Sequence, residues 1–422
     1  MSDGSNDIGA AGQAWATDRD PTDAELQARF RPIFARIAAG AVEREAERKL
    51  PHEEVQWLRQ AGFGAVRIPR SYGGLGATLP QFFGLLLELA TADSNVSHLL
   101  RGHFSFLESR LNHEDEATRA FWFPKVVDGA LIGYAMAEQS AVTGTSATIV
   151  RDGEGWRLNG KKYYSTGTIY ADWIVATVLD GETLTSVAFP ATLPGVTRLD
   201  DWDGFGQRMT GSGTTVFENV RLRDDHIVRR FDGKFAPSYH KAFLQLVLLT
   251  SIAGAGRAAL QDAIAFVQRK TRAFDVKGES SPRHDPLVQR VVGRLASLSY
   301  AADSIVDNVA RTLEDTRRQS VAGTADEALF VAADIRAFQA QQVVIDLVLQ
   351  ASTLLFEVGG ASATSESRRL DRHWRNARTA ASHNPAIFRE RMIGDYYLNG
   401  TVPPVGPWTA PATPVEEGAP KQ

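Results

Sequence analysis

The chain contains no cysteine in its 422 residues. That absence excludes disulfides, thiolate metal ligands and cysteine nucleophiles. No charge of one sign dominates: 46 lysines and arginines face 50 aspartates and glutamates, for a net charge of −4. Such a balance gives no electrostatic case for nucleic acid or an anionic membrane as a partner. A long uninterrupted apolar run is also missing. The most apolar stretch, Ala242 to Val267, is broken by Gln245, Arg257, Gln261 and Asp262, which predicts a buried helix rather than a membrane span. The acidic, polar opening Met1-Ser-Asp-Gly-Ser-Asn-Asp does not read as a secretory signal. By elimination the expectation is a cytoplasmic protein. No HExxH, EF-hand or Walker string occurs. His98 and His103 are five positions apart, so a helix does not align them as a metal pair. No metal site is expected.

What is present is an ordinary globular composition, 43% hydrophobic and 23% charged, long enough for two or three domains. Residues 1–20 are rich in Gly, Ser, Asp and Ala and read as a disordered tail. From 21 to 130 the spacing is helical, as in Ala24-Glu-Leu-Gln-Ala-Arg-Phe-Arg-Pro-Ile-Phe. Over 131–231 the period shortens. Gly155-Trp-Arg-Leu-Asn-Gly160 alternates and ends in Asn-Gly, a hairpin signal, and strands are expected near 173–179 and 214–222. Over 232–400 helix returns, with long candidates near 240–272, 285–316, 325–358 and 364–379, as a bundle requires. Residues 401–422 form a proline-rich tail. The expected fold class is α+β: a helical N-terminal domain, a small β-barrel-like central domain and a C-terminal helix bundle.

The densest chemistry lies in Leu370-Asp-Arg-His-Trp-Arg-Asn-Ala-Arg378 and the following Thr-Ala-Ala-Ser-His383-Asn-Pro385. Arginine forks bind phosphate, and histidine titrates near neutral pH. An anionic cofactor beside a proton-transfer group would use that pairing; a solvated basic helix is the plainer reading. Tyr163-Tyr-Ser165-Thr166-Gly167 reads as a turn between strands, with hydroxyls and backbone N–H groups suited to the polar edge of a flat heterocycle. Trp202-Asp-Gly-Phe-Gly-Gln-Arg208 is a second glycine-rich loop of the kind that lines sites. Gly254-Ala-Gly256 looks like part of a dinucleotide fingerprint, but it sits in a helical pattern, so close helix packing is expected there.

The order of helices, strands and helices, with these strings inside it, resembles the acyl-CoA dehydrogenase fold over about residues 21–400. Within that fold the chain resembles the flavin-dependent monooxygenases, dibenzothiophene monooxygenase and sulfur-acquisition oxidoreductases among them. The strings that carry the likeness are Gly102-His103-Phe104, Tyr164-Ser-Thr-Gly167, Asp201-Trp-Asp-Gly-Phe-Gly-Gln-Arg208, Thr210-Gly-Ser-Gly-Thr214, Leu370 to Arg378 and His383-Asn-Pro385. Two departures separate the chain from true dehydrogenases. Many of those carry a glutamate base after the arginine helix, where this chain has Ala381-Ser-His383-Asn-Pro385 and no carboxylate until Glu390. They also tend to carry Arg-x-x-Phe-Gly where this chain has Thr271-Arg272-Ala-Phe274-Asp275. A carboxylate there would repel a pyrophosphate, which favours FMN over FAD.

The resemblance therefore implies a two-component monooxygenase. A separate NAD(P)H-dependent reductase supplies reduced FMN, oxygen adds at C4a to form a hydroperoxide, and one oxygen atom passes to a small sulfur- or other heteroatom-containing molecule. His103 and His383 would flank the reacting edge of the flavin, and Ser165 would contact its N5 edge and share in catalysis. Ser165, Thr166, Gly167, Trp202, Arg272, Arg372 and Arg375 would hold the cofactor. Arg372 and Arg375 could instead contact a neighbouring subunit, and His373 is expected to be structural. An FAD-dependent acyl-CoA dehydrogenase is the alternative, and a non-catalytic flavin-fold protein a third reading. A homotetramer is expected, from the apolar run Val343-Val-Ile-Asp-Leu-Val-Leu.

Overall fold

Capping side chains open half of the α-helices in the computed structural model, which describes residues 20–112, 115–138, 145–231, 237–270 and 281–404. Thr22 and Glu25 form a reciprocal capping box at the start of α1 (Asp23–Ala39). Helices α2 (Ala41–Glu47) and α3 (His52–Gln60) follow. A second capping box, Thr78 with Gln81, opens α4 (Leu79–Ala92). Asp93 caps the short α5 (Ser94–Leu99), which runs into α6 (Arg101–Leu111), and Asp115 caps α7 (Glu116–Val127).

Eight strands come next: β1 (Ile132–Ala135), β2 (Thr148–Asp152), β3 (Gly155–Lys162), β4 (Trp173–Asp180), β5 (Thr183–Pro190), β6 (Val196–Arg198), β7 (Thr215–Leu222) and β8 (Ile227–Arg230). They form one sheet in the order β6-β7-β3-β2-β4-β5-β8, with β1 parallel to β4. The expected hairpin is displaced. Asn159-Gly160 lies inside β3, where the register with β7 shifts at a bulge between Leu158 and Gly160. The tight turn is at Gly153-Glu154, where Asp152 pairs with Gly155 and Gly153 takes φ +62°. An Asn-Gly pair tolerates a bulge as readily as a turn, and the neighbouring strands decided between them.

The chain ends in α8 (His240–Arg269), α9 (Pro286–Val321), α10 (Glu327–Leu354), α11 (Arg372–Ala381) and α12 (Ala386–Asn399). The fourth expected helix is broken: short 3-10 turns occupy Gly360–Thr364 and Glu366–Arg368 before α11 begins. Two helical segments, His240–Arg269 and Glu327–Val358, are long and apolar enough to cross a membrane by length and composition alone. The apolar window of the first is 83% buried inside the protein, in keeping with a core helix. Gly254 shows why α8 can be central, since a Cβ there would collide with Ala90 and the backbone of α4.

The largest core joins the N- and C-terminal helices. Phe30, Phe63, Phe82, Phe83, Phe104 and Phe243 are fully buried in it. A second core fills the sheet around Ile149, Ile174, Val178, Phe189 and Phe217. The site lies where the first core meets the sheet.

Candidate active site

Five segments meet at one corner: α5, the turn after β3, the loop before β7, α11 and the turn after α11. Gly167 seats the first two together. It has φ +81°, and an added Cβ would lie 2.5 Å from the Leu99 carbonyl at the end of α5. That close approach requires glycine. The turn is further fixed by Gly167 N–H donating to Thr210 O at 3.0 Å, and by a Thr166–Ser212 hydroxyl contact of 2.8 Å. Ser165 is completely buried, and its hydroxyl has no partner among the described residues. A buried polar group without a partner is costly, so Oγ marks a place built for a ligand.

His98 on α5 is the second such group. Its Nδ1 lies 3.1 Å from Gln207 Oε1. Gln207 Nε2 donates to Ser94 Oγ and to the Asn376 carbonyl, each at 3.3 Å. That orients Oε1 as acceptor, so His98 carries its proton on Nδ1 and presents a bare, buried Nε2 without a partner. Burial, then the nearby Arg101 guanidinium, pushes the His98 pKa down to about 4. It is a neutral acceptor near pH 7.

His383 completes the pair, with its ring centroid 6.3 Å from that of His98. His383 is exposed to solvent, although protein crowds around it as in an open recess. Crowding by protein, then Arg101 and His98, holds its pKa well below the usual value. Arg101 Nη1 lies 3.3 Å from His383 Nε2. A guanidinium only donates, so Nε2 accepts and the proton is on Nδ1, facing Asn384 Oδ1 at 3.3 Å. Asn384 Nδ2 donates in turn to Gln245 Oε1 at 2.9 Å, fixing its amide.

The other sequence-based candidates fall elsewhere. His103 was expected at the flavin, but both its ring nitrogens are engaged by backbone. Nε2 donates to Gly64 O at 2.9 Å and Nδ1 accepts from Ile132 N–H at 3.3 Å. It ties α6 to β1 and has no nitrogen left for a ligand. Arg372 donates to Asp262 at 2.7 Å, and Arg375 donates to Glu45 at 2.6 Å and Asp371 at 2.7 Å. Both guanidinium groups are neutralised within the chain, which leaves neither available as a free phosphate clamp. His373 is buried against Asp262 at 2.7 Å, the structural part expected of it. Trp202 folds over its own loop: its indole N–H donates to Gly206 O at 3.1 Å, and its ring packs near Tyr163 and Tyr164. Arg272 lies outside the described residues. Among the described residues no cluster of His, Asp and Glu could hold a metal.

Sequence reasoning missed His98, Gln207 and Arg101. Gln207 sits inside a string that was singled out, but nothing in the string indicates that this residue, with φ +52°, bridges α5 to α11 through Asn376. His98 shares a segment with His103, and only the fold tells which of the two has a free nitrogen.

The orphaned Ser165 Oγ and His98 Nε2, beside the Thr166–Gly167 turn, fit the polar edge of a flavin, which carries both donors and acceptors. Comparison with known proteins points to the same cofactor. The acyl-CoA dehydrogenase N-terminal, middle and C-terminal domains match residues 20–130, 134–220 and 246–386. A probable FMNH2-dependent monooxygenase, SfnC, of Pseudomonas putida is 28% identical over 88% of this chain and 94% of its own. The solved methanesulfinate monooxygenase of Pseudomonas fluorescens superposes with a TM-score of 0.81 at 26% identity, covering 90% of this chain and 98% of its own. The FMN-bound TdsC of Paenibacillus sp. A11-2 gives 0.81 at 26% identity over 88% and 96%.

Proposed function

The chain belongs to the acyl-CoA dehydrogenase family, in its flavin-dependent monooxygenase branch, and we propose that it oxygenates a small sulfur-containing molecule with reduced FMN supplied by a separate NAD(P)H-dependent reductase. The observation that carries this reading is the pair of neutral histidines, His98 and His383, set beside the unpartnered Ser165 hydroxyl. Many dehydrogenases of this fold carry a carboxylate base where His383 stands, and the segment from Ala381 to Pro385 has none.

Bound FMN, reduced and reacting with oxygen, supplies the activated oxygen atom. Ser165 donates to the polar edge of the ring system, and the Thr166–Gly167 turn positions it. His98 accepts a hydrogen bond at Nε2, its tautomer held by Gln207. His383 would exchange a proton at the reacting oxygen through Nε2 once the Arg101 guanidinium, 3.3 Å from that atom, turns to a ligand; its low proton affinity would make it an acceptor first and a donor once protonated. The fluctuation of water into the recess must be limited, or oxygen is lost as hydrogen peroxide. The setting is proposed to be cytoplasmic and the assembly a homotetramer. The expected apolar run gives that assembly only partial support, because Val344, Ile345 and Val348 pack inside the chain while Val343 is 47% exposed. Exposed Ile387 and Leu398 on α12 extend the uncovered apolar surface.

The test is anaerobic loading with reduced FMN, followed by oxygen and a panel of organosulfur compounds. His383→Ala should keep flavin binding and lose oxygen transfer by about a hundredfold, with peroxide release rising to match. A stable His383→Ala protein with unchanged coupling would remove His383 from the mechanism. Tight stoichiometric oxidised FAD, retained through gel filtration, would sink the oxygenase reading. Light scattering at micromolar concentration tests the tetramer, and a monomer would refute it.

A further inference from the structure

Several interior arginines of this chain meet carboxylates, although Arg198 rests on backbone carbonyls and Arg110 on Ser109 Oγ and the Phe106 ring. Arg44 reaches Glu54 at 2.8 Å and Asp93 at 2.9 Å, Arg67 reaches Glu108 at 3.0 Å, and Arg372 reaches Asp262 at 2.7 Å. Arg101 differs. It is only partly exposed, and it contacts the Leu244 carbonyl and His383 Nε2, both at 3.3 Å. Among the described residues no carboxylate lies within salt-bridge distance of it.

The groups around Arg101 make the contrast sharper. The Tyr134 phenol lies near both Arg101 and Arg110 and is hydrogen-bonded to Ser105. Ser105 Oγ is also 3.2 Å from His240 Nε2. His98 and His240 both feel the Arg101 charge, and His240 that of Arg110 as well. Glu108, whose charge reaches His240, is already held by Arg67 and by the Tyr239 hydroxyl at 2.7 Å. Burial pushes the Arg101 pKa down to about 10, so the guanidinium is still charged near pH 7. A desolvated cation facing neutral histidines and a phenol lacks an anion.

We propose that Arg101 makes this recess selective for an organic anion, and that the oxygen acceptor is a small organosulfur anion of the sulfinate class, its charged head on Arg101 and its sulfur toward the His98–His383 pair. The proposal rests on the oxygenase reading above and names its substrate class. The reaction balances: a sulfinate, oxygen and reduced FMN give a sulfonate, oxidised FMN and water. The sulfur lone pair forms the new S–O bond as the O–O bond breaks. Reduced FMN supplies two electrons and two protons, and the second oxygen atom leaves as water. The charge on the organic anion is the same before and after, so Arg101 stays paired throughout.

The test compares two substrates of similar shape, benzenesulfinate and the neutral methyl phenyl sulfoxide, with the full chain and reduced FMN generated by a flavin reductase. Wild type should prefer the sulfinate. Arg101→Gln should lose on the order of 10- to 100-fold in kcat/KM for the sulfinate, mainly through KM, the scale of one hydrogen bond to a charged group. The sulfoxide should lose far less, and Arg101→Lys should recover part of the sulfinate activity. Calorimetry with benzenesulfonate, which needs no turnover, provides an independent arm. Wild type should bind it and Arg101→Gln should not, with FMN affinity equal in both. Equal losses for both substrates, benzenesulfonate binding that ignores residue 101, or no binding by wild type would overturn the proposal. If Arg101→Gln does not fold, Arg101→Lys and the wild-type preference decide the question. Benzenesulfonate binding without oxygen transfer to any compound would instead sink the oxygenase reading and leave the anion site standing.

Discussion

Two arginine-bearing regions of this molecule look alike in sequence and behave oppositely. On α11, Arg372 and Arg375 are packed with Asp262, Glu45 and Asp371. That helix is the densest basic stretch in the chain, and the charges of Arg372 and Arg375 cancel against Asp262 from α8, Glu45 from α2 and the neighbouring Asp371, while Arg378 turns to Ser382. At the corner of α5 and α6, Arg101 stands among histidines with no acid within salt-bridge distance among the described residues. The lesson is that a local run of charge measures neither the potential nor the function of a site. What matters is the remainder after pairing, and pairing is a property of the fold.

Acid should show the largest effect, and it acts on both regions. Burial lowers the pKa of His98, His103, His240 and His373 to about 4 each. The unfolded chain takes up those protons near pH 6.5 and the folded chain does not until near pH 4. Stability is therefore fully present above pH 6.5 and falls as pH drops from 6.5 to 4, by several kcal/mol in total. Thermal melts at pH 7.5, 6 and 5 check this, and a flat profile would contradict the neutral histidines. Asp262 contributes at lower pH. Hydrogen bonds from His373 and Arg372 outweigh its burial and hold it at about 2, so its share is lost only as pH falls from about 4 to 2.

Asp262→Ala comes next in size. It strands Arg372 and His373 together, and breaking a mostly buried pair costs about 3 kcal/mol. A chemical denaturation midpoint that falls, with oxygen transfer per folded molecule unchanged, places α11 as scaffold. If activity fell with stability intact, the comparison drawn above would be wrong.

Gln207→Leu should cost less. It removes the acceptor that fixes the His98 tautomer and leaves the ring free to rotate. About a tenfold loss of oxygen transfer is expected, at the lower edge of acid–base effects, with peroxide release rising. An unchanged ratio of product to peroxide would remove His98 from the site.

The smallest effect belongs to Arg101→Gln measured as stability. Because no carboxylate is stranded, its folding stability, read from thermal melts, should change by no more than about 0.5 kcal/mol. A drop comparable to that of Asp262→Ala would mean that Arg101 is structural.

Much of the architecture was legible in the residue pattern. Helical spacing located α8, α9 and α10 to within a few residues, and β-branched runs located β4 and β7. These elements bury one face, and burial imposes a period that composition reveals. The break before α11 and the bulge at Gly160 were not legible. Each depends on what packs against the segment, and both Gly and Asn tolerate more than one local geometry.

For the site, the chain's own chemistry determined that Ser165 and His383 stand in turns able to meet a flat heterocycle, and that no glutamate base follows α11. Only the tertiary structure decided which histidine has a free nitrogen. His98 and His103 are both buried on consecutive helices, and the difference between them is a carbonyl from Gly64, an amide from Ile132 and the side chain of Gln207. Those partners lie from 29 to 109 positions away along the chain. A hydrogen bond acts over about 3 Å, so its presence is decided by which distant segments the fold brings that close, and no local pattern carries that information.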